Sequence, residues 1–504
     1  MEYLNVAFAA AGLIVLLLAR SVYRLYFHPL SGFPGPKIAA VSHLYEFYHD
    51  VLRDGMFIWE IERMHKKYGP IVRINPRELH IKDSLFYDEI YASGSRKRDK
   101  DPKFVPIFSS PYSMIATVDH ELHRFRRGLL SNFFSQASVS KLGPLIEKKV
   151  SQLMRRFEEA YADSCPLDLS ASFSALTSDI ITIYSYGEDF NFLGEKGFKN
   201  NVRDAIMETA SVVHINRFFP FFVPLMRRIP PWIMAIFKPA TAVVFRIQQR
   251  IAEQSAAALR KTEAKVSPDS KARRTMFDAL SSATIPAKER TLSRLQDEGM
   301  ILLSGGAEPT ANALTVASFH LLNDKSILTK LRSELSAHGD CASLPQLMKL
   351  PYLNGVVNEA LRLSYGIVIR PPRICHTEVL KYGEVVIPPG TPVSMSSYFV
   401  HMDRIIFPEP ESFNPDRWIE ATAQGKNLTK FIVSFGRGSR ACVGMNLAYA
   451  ELYLTISQFA RKFDMELYDT TYENIRVARE RGLPYAKTGH WNVKATVTQI
   501  VSAA

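Results

Sequence analysis

Along the middle of the chain, apolar residues recur at intervals of three and four positions, the spacing of one face of an α-helix. This spacing predicts helices at residues 145–157, 171–186, 240–259 and 292–322. Short strand-like runs lie toward the two ends of the chain. Residues 71–74 and 79–81 flank a turn signal and predict a hairpin, and residues 385–387 lead into a Pro-Pro-Gly turn. The pattern predicts a mostly α fold with a small β region.

The first twenty residues predict a membrane anchor. Residues 3–19 carry no charge, and Arg20 and Arg24 follow at once. A helix of this length spans about 25 Å, the short end of what a bilayer crossing requires. Glu2 precedes the apolar run and arginines follow it, so the positive-inside rule favours an uncleaved anchor with the remaining chain in the cytosol. The alternative is a cleaved signal peptide.

A segment rich in proline and glycine follows the anchor. Residues 26–36, YFHPLSGFPGP, cannot continue a helix and are typical of a semi-rigid spacer. No internal repeat or second change of composition follows. We therefore expect an anchor at residues 1–20, a hinge at residues 21–40 and one catalytic domain at residues 41–504.

Composition and charge exclude several classes of protein. The 504 residues are 47% hydrophobic and 22% charged, so a mainly disordered or fibrous chain is excluded. The net charge of +12 suits anionic partners, but the sequence has no long basic run and no zinc-finger spacing, so we expect no nucleic-acid partner. The four cysteines, Cys165, Cys341, Cys375 and Cys442, form no disulfide pattern and indicate a reducing compartment.

The strongest chemical signal is the loop at residues 435–444, FGRGSRACVG, which precedes a helical run at residues 445–459. Its glycines and serine allow close approach to a flat group. Cys442 lies just before the helix N-terminus, where the macrodipole and free N–H groups favour a thiolate. Arg437 and Arg440 add cations, and the combination suits a haem iron with propionates nearby. On the cysteine alone, the alternative is a buried structural cysteine.

The spacing of this loop resembles the haem-binding signature of the cytochrome P450 family, F-x-x-G-x-R-x-C-x-G. The matching residues are Phe435, Gly438, Arg440, Cys442 and Gly444. The resemblance extends from the anchor to about residue 490. It implies the cytochrome P450 fold with an N-terminal transmembrane helix, and a heme b cofactor whose iron is bound by the Cys442 thiolate.

Two further segments resemble this family in order and spacing. Residues 359–362, EALR, match its E-x-x-R helix, and residues 413–418, FNPDRW, resemble its following arginine segment. The resemblance implies a buried charge network of Glu359, Arg362 and Arg417 behind the haem. Outside this context an E-x-x-R is an ordinary helical ion pair.

The resemblance also implies which groups would bind the haem propionates. Arg127 matches the arginine of the W-x-x-x-R helix of the family, and His123 stands where tryptophan is usual. Arg373 matches a propionate-binding arginine that follows the E-x-x-R helix. Together with Arg440, these residues would neutralise two buried carboxylates.

Residues 305–310, GGAEPT, resemble the oxygen-activating helix of the family, [AG]-G-x-[DE]-T-[TS]. By this resemblance Glu308 and Thr310 are the catalytic residues that relay protons to dioxygen. Pro309 stands where threonine is usual, and it lacks the N–H that would reach Gly305, so the sequence favours a kink. The alternative is a merely structural kink in a core helix.

Two regions point to a lipophilic substrate. Residues 217–225 and 231–237 are unusually apolar for segments broken by proline, and they are either core or a membrane-dipping entrance implied by the resemblance. Residues 103–117 would line a pocket over the haem. The apolar side chains expected there are Phe104, Ile107, Phe108, Tyr112 and Met114.

The resemblance implies a single-pass monooxygenase of the endoplasmic reticulum membrane. It would insert one oxygen atom of O2 into a lipophilic small molecule, with electrons from NADPH delivered by NADPH-cytochrome P450 reductase. The hinge is similar to that of filamentous-fungal members, so we expect a secondary metabolite such as a terpenoid.

Several alternatives stay open. Arg124 and Arg126 form either a solvated helix face or a docking surface for an acidic reductase. One alternative to a monooxygenase is a haem-thiolate isomerase or dehydratase, because Pro309 replaces the usual threonine of the oxygen-activating helix. Another alternative is a non-catalytic haem-binding protein.

Overall fold

The computed structural model describes residues 2–226, 228–230, 233, 239–264, 275–339 and 342–501. Helices dominate these residues. In chain order, the α-helices are α1 (Glu2–Val22), α2 (Lys37–Val41), α3 (Leu44–Phe47), α4 (Phe57–Tyr68), α5 (Tyr87–Ile90), α6 (His120–Ser131), α7 (Gln136–Ser140), α8 (Gly143–Ala162), α9 (Leu169–Tyr186), α10 (Asn201–Ser211), α11 (Val213–Phe218), α12 (Phe222–Met226), α13 (Pro239–Glu263), α14 (Met276–Leu280), α15 (Leu292–Asn323), α16 (Lys325–Ser336), α17 (Leu344–Leu347), α18 (Pro351–Ser364), α19 (Ser397–His401), α20 (Asp416–Ala423) and α21 (Met445–Lys462).

The strands are short and come from distant parts of the chain. They are β1 (Ile71–Arg73), β2 (Leu79–Ile81), β3 (Asp99–Lys100), β4 (Leu167–Asp168), β5 (Arg373–Ile374), β6 (Leu380–Tyr382), β7 (Val385–Ile387), β8 (Pro392–Ser394), β9 (Phe463–Leu467), β10 (Arg479–Arg481), β11 (Leu483–Tyr485) and β12 (Lys494–Ile500). The largest sheet has the order β1-β2-β8-β5-β3, with β2 and β8 parallel and the other neighbours antiparallel. The other sheets pair β4-β12-β9, β10-β11 and β6-β7.

The predicted mostly α fold with a small β region is confirmed. The helices expected at residues 145–157, 171–186, 240–259 and 292–322 are α8, α9, α13 and α15, each extended by a few residues at one or both ends. The predicted hairpin is the antiparallel pair β1–β2, in which Val72 faces His80.

The long helix α15 is the centre of the core. It packs along α9 and also contacts α13, α18 and α21. Pro309 lies inside α15, which remains helical from Leu292 to Asn323. Because proline has no N–H, the Gly305 carbonyl loses its helical donor at this point. The packing of α15 against its neighbours keeps the helix continuous across this missing bond.

The N-terminal helix is longer than the sequence predicted. It continues past Arg20 through a π-helical turn to Phe27, because the first residue that breaks it is Pro29. Its apolar stretch has a mean hydropathy of 2.1 and none of it is buried, so it is long and apolar enough to cross a membrane. The Arg73 guanidinium donates to the Arg24 carbonyl at 2.8 Å, which ties the end of this helix to the first sheet.

Candidate functional site

The loop that carries Cys442 is fixed by its own backbone and by a close contact with a distant loop. The Cys442 N–H donates to the Phe435 carbonyl at 2.7 Å, just before α21 begins. Gly438 has a φ of +71°, and a Cβ there would lie 2.1 Å from the Tyr91 carbonyl oxygen. Only glycine meets both conditions. The spacing of the loop therefore presents the Cys442 sulfur at the N-terminal end of α21.

The Cys442 thiol faces a cavity inside the protein. Burial raises its pKa, while the Gly444 N–H and the Arg127 guanidinium act in the opposite direction. The helix-terminal N–H therefore acts toward the thiolate as expected, but in the free thiol the loss of water outweighs it and the nearby positive charge. A metal cation at the sulfur reverses this balance, since a coordinating thiol is deprotonated.

The cavity beside Cys442 has a volume of about 260 Å³. Phe435 and Gly444 of the cysteine loop line it. So do four residues of the predicted oxygen-activating stretch, Gly305, Gly306, Pro309 and Thr310. Gly306 allows α15 to approach α9, because a Cβ there would lie 2.5 Å from Ile181 Cγ1. The structure thus brings the cysteine loop and the middle of α15 to one cavity.

Five basic side chains from four separate segments also line this cavity. They are His123 and Arg127 of α6, Lys100 of β3, Arg373 of β5 and Arg440 of the cysteine loop. His123 and Arg127 are four residues apart and share one face of α6. Lys100 and Arg373 are directly opposed in the antiparallel pair β3–β5. Adjacent like charges are unfavourable in a sheet, so this arrangement needs compensation.

The pKa values of these groups show that compensation from within the protein is incomplete. Burial, followed by repulsion from Arg373, lowers the pKa of Arg440 to about 9. Burial and the surrounding cations, Arg440 first, lower the pKa of His123 to about 2. Burial followed by Arg373 and Arg440 also holds the pKa of the Lys100 ammonium well below its usual range. An anion placed among these groups would stabilise their charged forms, and the two carboxylates of a haem satisfy that requirement.

Backbone contacts fix two of the guanidinium groups. Arg440 donates to the Thr117 carbonyl at 2.7 Å and to the Val118 carbonyl at 2.6 Å. Arg373 donates to the Pro371 carbonyl at 3.2 Å, and its guanidinium carbon lies 5.1 Å from the centroid of the Tyr91 ring. The cluster is therefore held in place by the protein before any ligand binds.

Lys100 is a basic cavity residue that sequence reasoning missed. It belongs to the dense patch at residues 96–101, whose acids half neutralise its basic residues in the sequence. In the structure, the Asp99 carboxylate accepts the His120 N–H at 2.9 Å, while Lys100 is buried and donates to the Ile115 carbonyl. Successive side chains of a strand point to opposite faces, so β3 places Asp99 and Lys100 on different sides. This alternation was the sequence signal that could have indicated the burial of Lys100.

The predicted charge network behind the cysteine loop is confirmed. Glu359 and Arg362 of α18 form a buried ion pair of 2.7 Å, and Arg417 of α20 lies 3.3 Å from Glu359. The Trp418 indole N–H donates to the same carboxylate at 2.9 Å. The Ser434 hydroxyl donates to the Leu361 carbonyl at 2.6 Å, which joins the network helix to the cysteine loop.

The structure separates the two predicted catalytic residues. Thr310 lines the cavity, but Glu308 is buried against α9, where its carboxylate accepts the Ser174 hydroxyl. The carboxyl that contacts the Thr310 hydroxyl is Glu451 of α21, which sequence reasoning missed. Glu451 lines the same cavity, its Oε1 has no hydrogen-bond partner among the described residues, and burial raises its pKa well above the usual range. Because Cys442 lies before α21, no helical register links it to Glu451, and the sequence carries no local signal for this residue.

A second cavity, of about 240 Å³, adjoins the first and is largely apolar. Phe108, Ile115 and Pro309 line both cavities. Of the other residues expected to line the pocket, Ile107 and Met114 do so. Phe104 instead packs in a small core cluster with Ile107 and Ile369, and Tyr112 is half exposed.

The remaining predictions on these regions have mixed outcomes. Arg126 pairs with Glu289 at 2.7 Å, so it forms neither a solvated face nor a docking surface, whereas Arg124 is exposed. In the segment 217–225, Arg217 is buried in ion pairs, while Phe221 is exposed.

The segment 231–237, apart from residue 233, and Cys341 lie outside the described residues. The described cysteines other than Cys442 are Cys165 and Cys375, and both are free thiols.

The cytochrome P450 family model matches residues 34–484. This chain belongs to the cytochrome P450 family. It is 46% identical over 479 residues to conidiogenone synthase PchP450 of Penicillium rubens, covering 95% of this chain and 96% of that protein. It is 43% identical over 485 residues to the P450 monooxygenase astB of Aspergillus terreus, covering 95% and 94%. It is also 43% identical over 489 residues to the P450 monooxygenase TRI4 of Fusarium sporotrichioides, covering 96% and 93%.

Membership in the P450 family makes this protein a haem-thiolate monooxygenase with a lipophilic small-molecule substrate and a redox partner. When bound, the haem iron activates dioxygen. The residues present fit the group, because one cavity holds a cysteine thiol and a cluster of basic side chains that form no ion pair with a carboxylate among the described residues. Its neighbour is a largely apolar space.

Proposed function

We propose that this P450 inserts one oxygen atom from O2 into a lipophilic fungal secondary metabolite, such as a terpenoid. The observation that carries this proposal is the junction of the two cavities. The apolar cavity opens beside Gly305 and Pro309, the same residues that line the cysteine cavity. A hydrocarbon skeleton needs apolar surface and few hydrogen bonds, which this lining supplies. The name of one relative, conidiogenone synthase, assigns it to the synthesis of a specific metabolite.

In this proposal, Cys442 would hold the haem iron through its thiolate. Phe435 and Gly444 frame the sulfur, since both line its cavity. The cluster of cations and their neighbouring imidazole would hold the haem propionates. This set comprises the predicted residues His123, Arg127, Arg373 and Arg440, together with Lys100.

Thr310 and Glu308 remain the proposed catalytic residues. The Thr310 hydroxyl is on the cavity wall, where it exchanges protons with groups inside the cavity. Burial raises the pKa of Glu308, so its carboxyl holds a proton more readily than an exposed glutamate. Because this carboxyl now faces Ser174, it acts on Thr310 only after turning away from that hydroxyl.

We place the enzyme in the endoplasmic reticulum membrane, with its catalytic domain in the cytosol and electrons delivered from NADPH by NADPH-cytochrome P450 reductase. The spanning helix is the first support. Exposed apolar side chains on the hinge side of the domain are the second. They include Ile38, Leu44, Leu52, Phe221 and Leu225, each more than half exposed. Such side chains suit contact with lipid.

The test of this function uses the full-length enzyme with a fungal reductase, NADPH and an extract of a strain from which the gene has been deleted. Under ¹⁸O2, the proposal predicts a product that is absent from the deletion strain and carries one ¹⁸O atom. NADPH consumption must depend on the extract. A product that forms without NADPH and without ¹⁸O would instead establish the isomerase or dehydratase alternative.

A further inference from the structure

Two adjacent carboxylates near the beginning of α15 hold the backbone of a loop outside that helix. Asp297 and Glu298 are both buried. The Asp297 carboxylate accepts the Tyr112 N–H at 2.9 Å, and the Glu298 carboxylate accepts the Met114 N–H at 2.9 Å. We call residues 109–117 the wall loop. Charge-assisted bonds of this kind are stronger than bonds between neutral groups.

The wall loop forms part of both cavities. Met114 lines the cysteine cavity, and Ile115 lines the cysteine cavity and the apolar cavity. The positions of these two side chains depend on the backbone at residues 112 and 114, which the two carboxylates hold. The carboxylates of α15 therefore determine the position of this part of both cavity walls.

Three basic side chains also reach the loop: Lys100 donates to the Ile115 carbonyl, Arg126 donates to the Thr117 hydroxyl at 2.8 Å, and Arg440 donates to the Thr117 carbonyl at 2.7 Å. Side-chain hydrogen bonds within the loop are local, from the Ser113 hydroxyl to the Ser110 carbonyl at 2.6 Å and from the Thr117 hydroxyl to the Ser113 carbonyl at 2.9 Å. Residues 111–116 belong to no helix or strand. Local bonds alone leave a turn with several backbone arrangements of similar energy, so the carboxylates that hold the N–H groups of residues 112 and 114 help to select one of them.

The carboxylates are in turn held by a chain of arginines. Arg294 pairs with Glu298 one helical turn away, and its Nε lies 3.6 Å from a Glu289 oxygen. Arg126 of α6 pairs with Glu289 at 2.7 Å and donates to the Thr117 hydroxyl at 2.8 Å. This network of charged side chains starts at α15 and returns to Thr117, so the middle and the C-terminal end of the wall loop are tied to the same network.

We propose that Asp297 and Glu298 are positioning residues that set the shape of the cavity and hence its selectivity among ligands. Neither carboxylate lines either cavity, so both act through the wall loop. The proposal goes beyond the monooxygenase function, although its ligand test relies on the proposed haem site.

The first test measures hydrogen–deuterium exchange of the full-length, haem-loaded protein in phospholipid nanodiscs. Asp297→Asn and Glu298→Gln keep an acceptor oxygen and nearly the same side-chain shape, so they remove the charge with the least change in packing. We expect amides at residues 112–116 to exchange at least about tenfold faster in the double variant. The matched control is Glu334→Gln. The Glu334 carboxylate likewise accepts two backbone N–H groups, of Tyr352 and Leu353 at 2.8 Å each, but it lies outside both cavities.

The second test measures ligand selectivity by the shift of the haem Soret band. Imidazole and 4-phenylimidazole share the iron-binding nitrogen, and only the larger probe reaches the cavity walls. We expect the ratio of their dissociation constants to fall about fivefold or more in the double variant and to stay unchanged in Glu334→Gln. Thermal unfolding of all variants is recorded alongside.

Unchanged exchange at residues 112–116, or the same change in the Glu334 control, overturns the proposal. Faster exchange with an unchanged ligand ratio overturns the claim on selectivity. A protein that binds no haem would refute the proposed function instead, and the exchange measurement would still report on the wall loop.

Discussion

At the scale of single residues, charge explains why this cavity requires a ligand. Lys100, Arg373 and Arg440 lie together in a buried space, and burial lowers the pKa of each. No carboxylate among the described residues forms an ion pair with any of them. Repulsion among buried cations of this kind is typical of a functional site, where a ligand of opposite charge offsets it.

Lys100 provides a test of this explanation. Lys100→Met keeps the length of the side chain and removes the charge, so we expect haem transfer to apomyoglobin to become at least about tenfold faster. Lys97→Met is the matched control, since Lys97 lies in the same patch but is exposed and pairs with Glu121 at 2.8 Å. Equal rates of haem loss in the two variants would show that Lys100 does not bind the propionates.

The two buried carboxyls near Thr310 are distinguished by a pair of variants. If Glu308 supplies the proton, Glu308→Gln slows product formation by at least about tenfold while the substrate still shifts the haem spectrum. Glu451→Gln is the comparison, because this residue contacts Thr310 directly. Loss of turnover in Glu451→Gln with normal turnover in Glu308→Gln would transfer the catalytic role to Glu451.

The sequence predicts a site residue when that residue belongs to a motif of fixed spacing within one short segment. Cys442 and its neighbours were predictable because a fixed pattern of glycines, arginine and cysteine describes one local loop. The direction of Glu308 was not predictable, because it depends on Ser174 of another helix. The same holds for Lys100, whose burial results from pairing of β3 with a strand more than 270 residues away.

At the scale of elements, α15 joins the core to the chemistry. Its pattern predicted both ends to within one residue, since apolar residues at helical spacing continue across Pro309. The continuity of the helix there was harder to predict, because proline argues for a break. Packing against α9, α13, α18 and α21 decides the outcome, and this information is not local in sequence.

Pro309→Thr tests the cost of the missing helical hydrogen bond. Threonine restores an N–H that reaches the Gly305 carbonyl, so we expect the free energy of unfolding to rise by about 1–3 kcal/mol, with the haem spectrum unchanged. Denaturant unfolding followed by the Soret band measures this, and peroxide release reports on coupling. A variant less stable than the natural enzyme would show that the cavity requires proline at this position.

At the scale of the whole molecule, the anchor and the domain are separate in packing but connected at one point. No residue of α1 is buried, whereas Arg73 of the first sheet donates to the Arg24 carbonyl. The apolar N-terminal helix that the sequence predicted is present, and it is long and apolar enough to cross a membrane. Pro29 marks the end of this helix in the sequence, but the bond from Arg73 to the Arg24 carbonyl could not be predicted, because it joins residues 49 positions apart.

Two truncations separate these roles. Removal of residues 1–22 deletes α1 alone, so we expect the haem spectrum and thermal stability to be retained while membrane attachment weakens. Removal of residues 1–28 also deletes the Arg24 acceptor of the buried Arg73, and we expect lower stability by about 1–3 kcal/mol. Loss of haem on the shorter truncation would mean that α1 packs into the domain. Membrane binding that persists in both would be explained by the exposed apolar side chains of the hinge side.

The measurement that tests the account most directly is the spectrum of the CO complex of the reduced enzyme. With Cys442 as the axial thiolate, the natural enzyme and Cys375→Ala show the red-shifted Soret band of a haem-thiolate. Cys375 is a suitable control because it is a buried free thiol outside the cavity of Cys442. Cys442→Ser must abolish that band. A red-shifted band that survives in Cys442→Ser would contradict the assignment of the site.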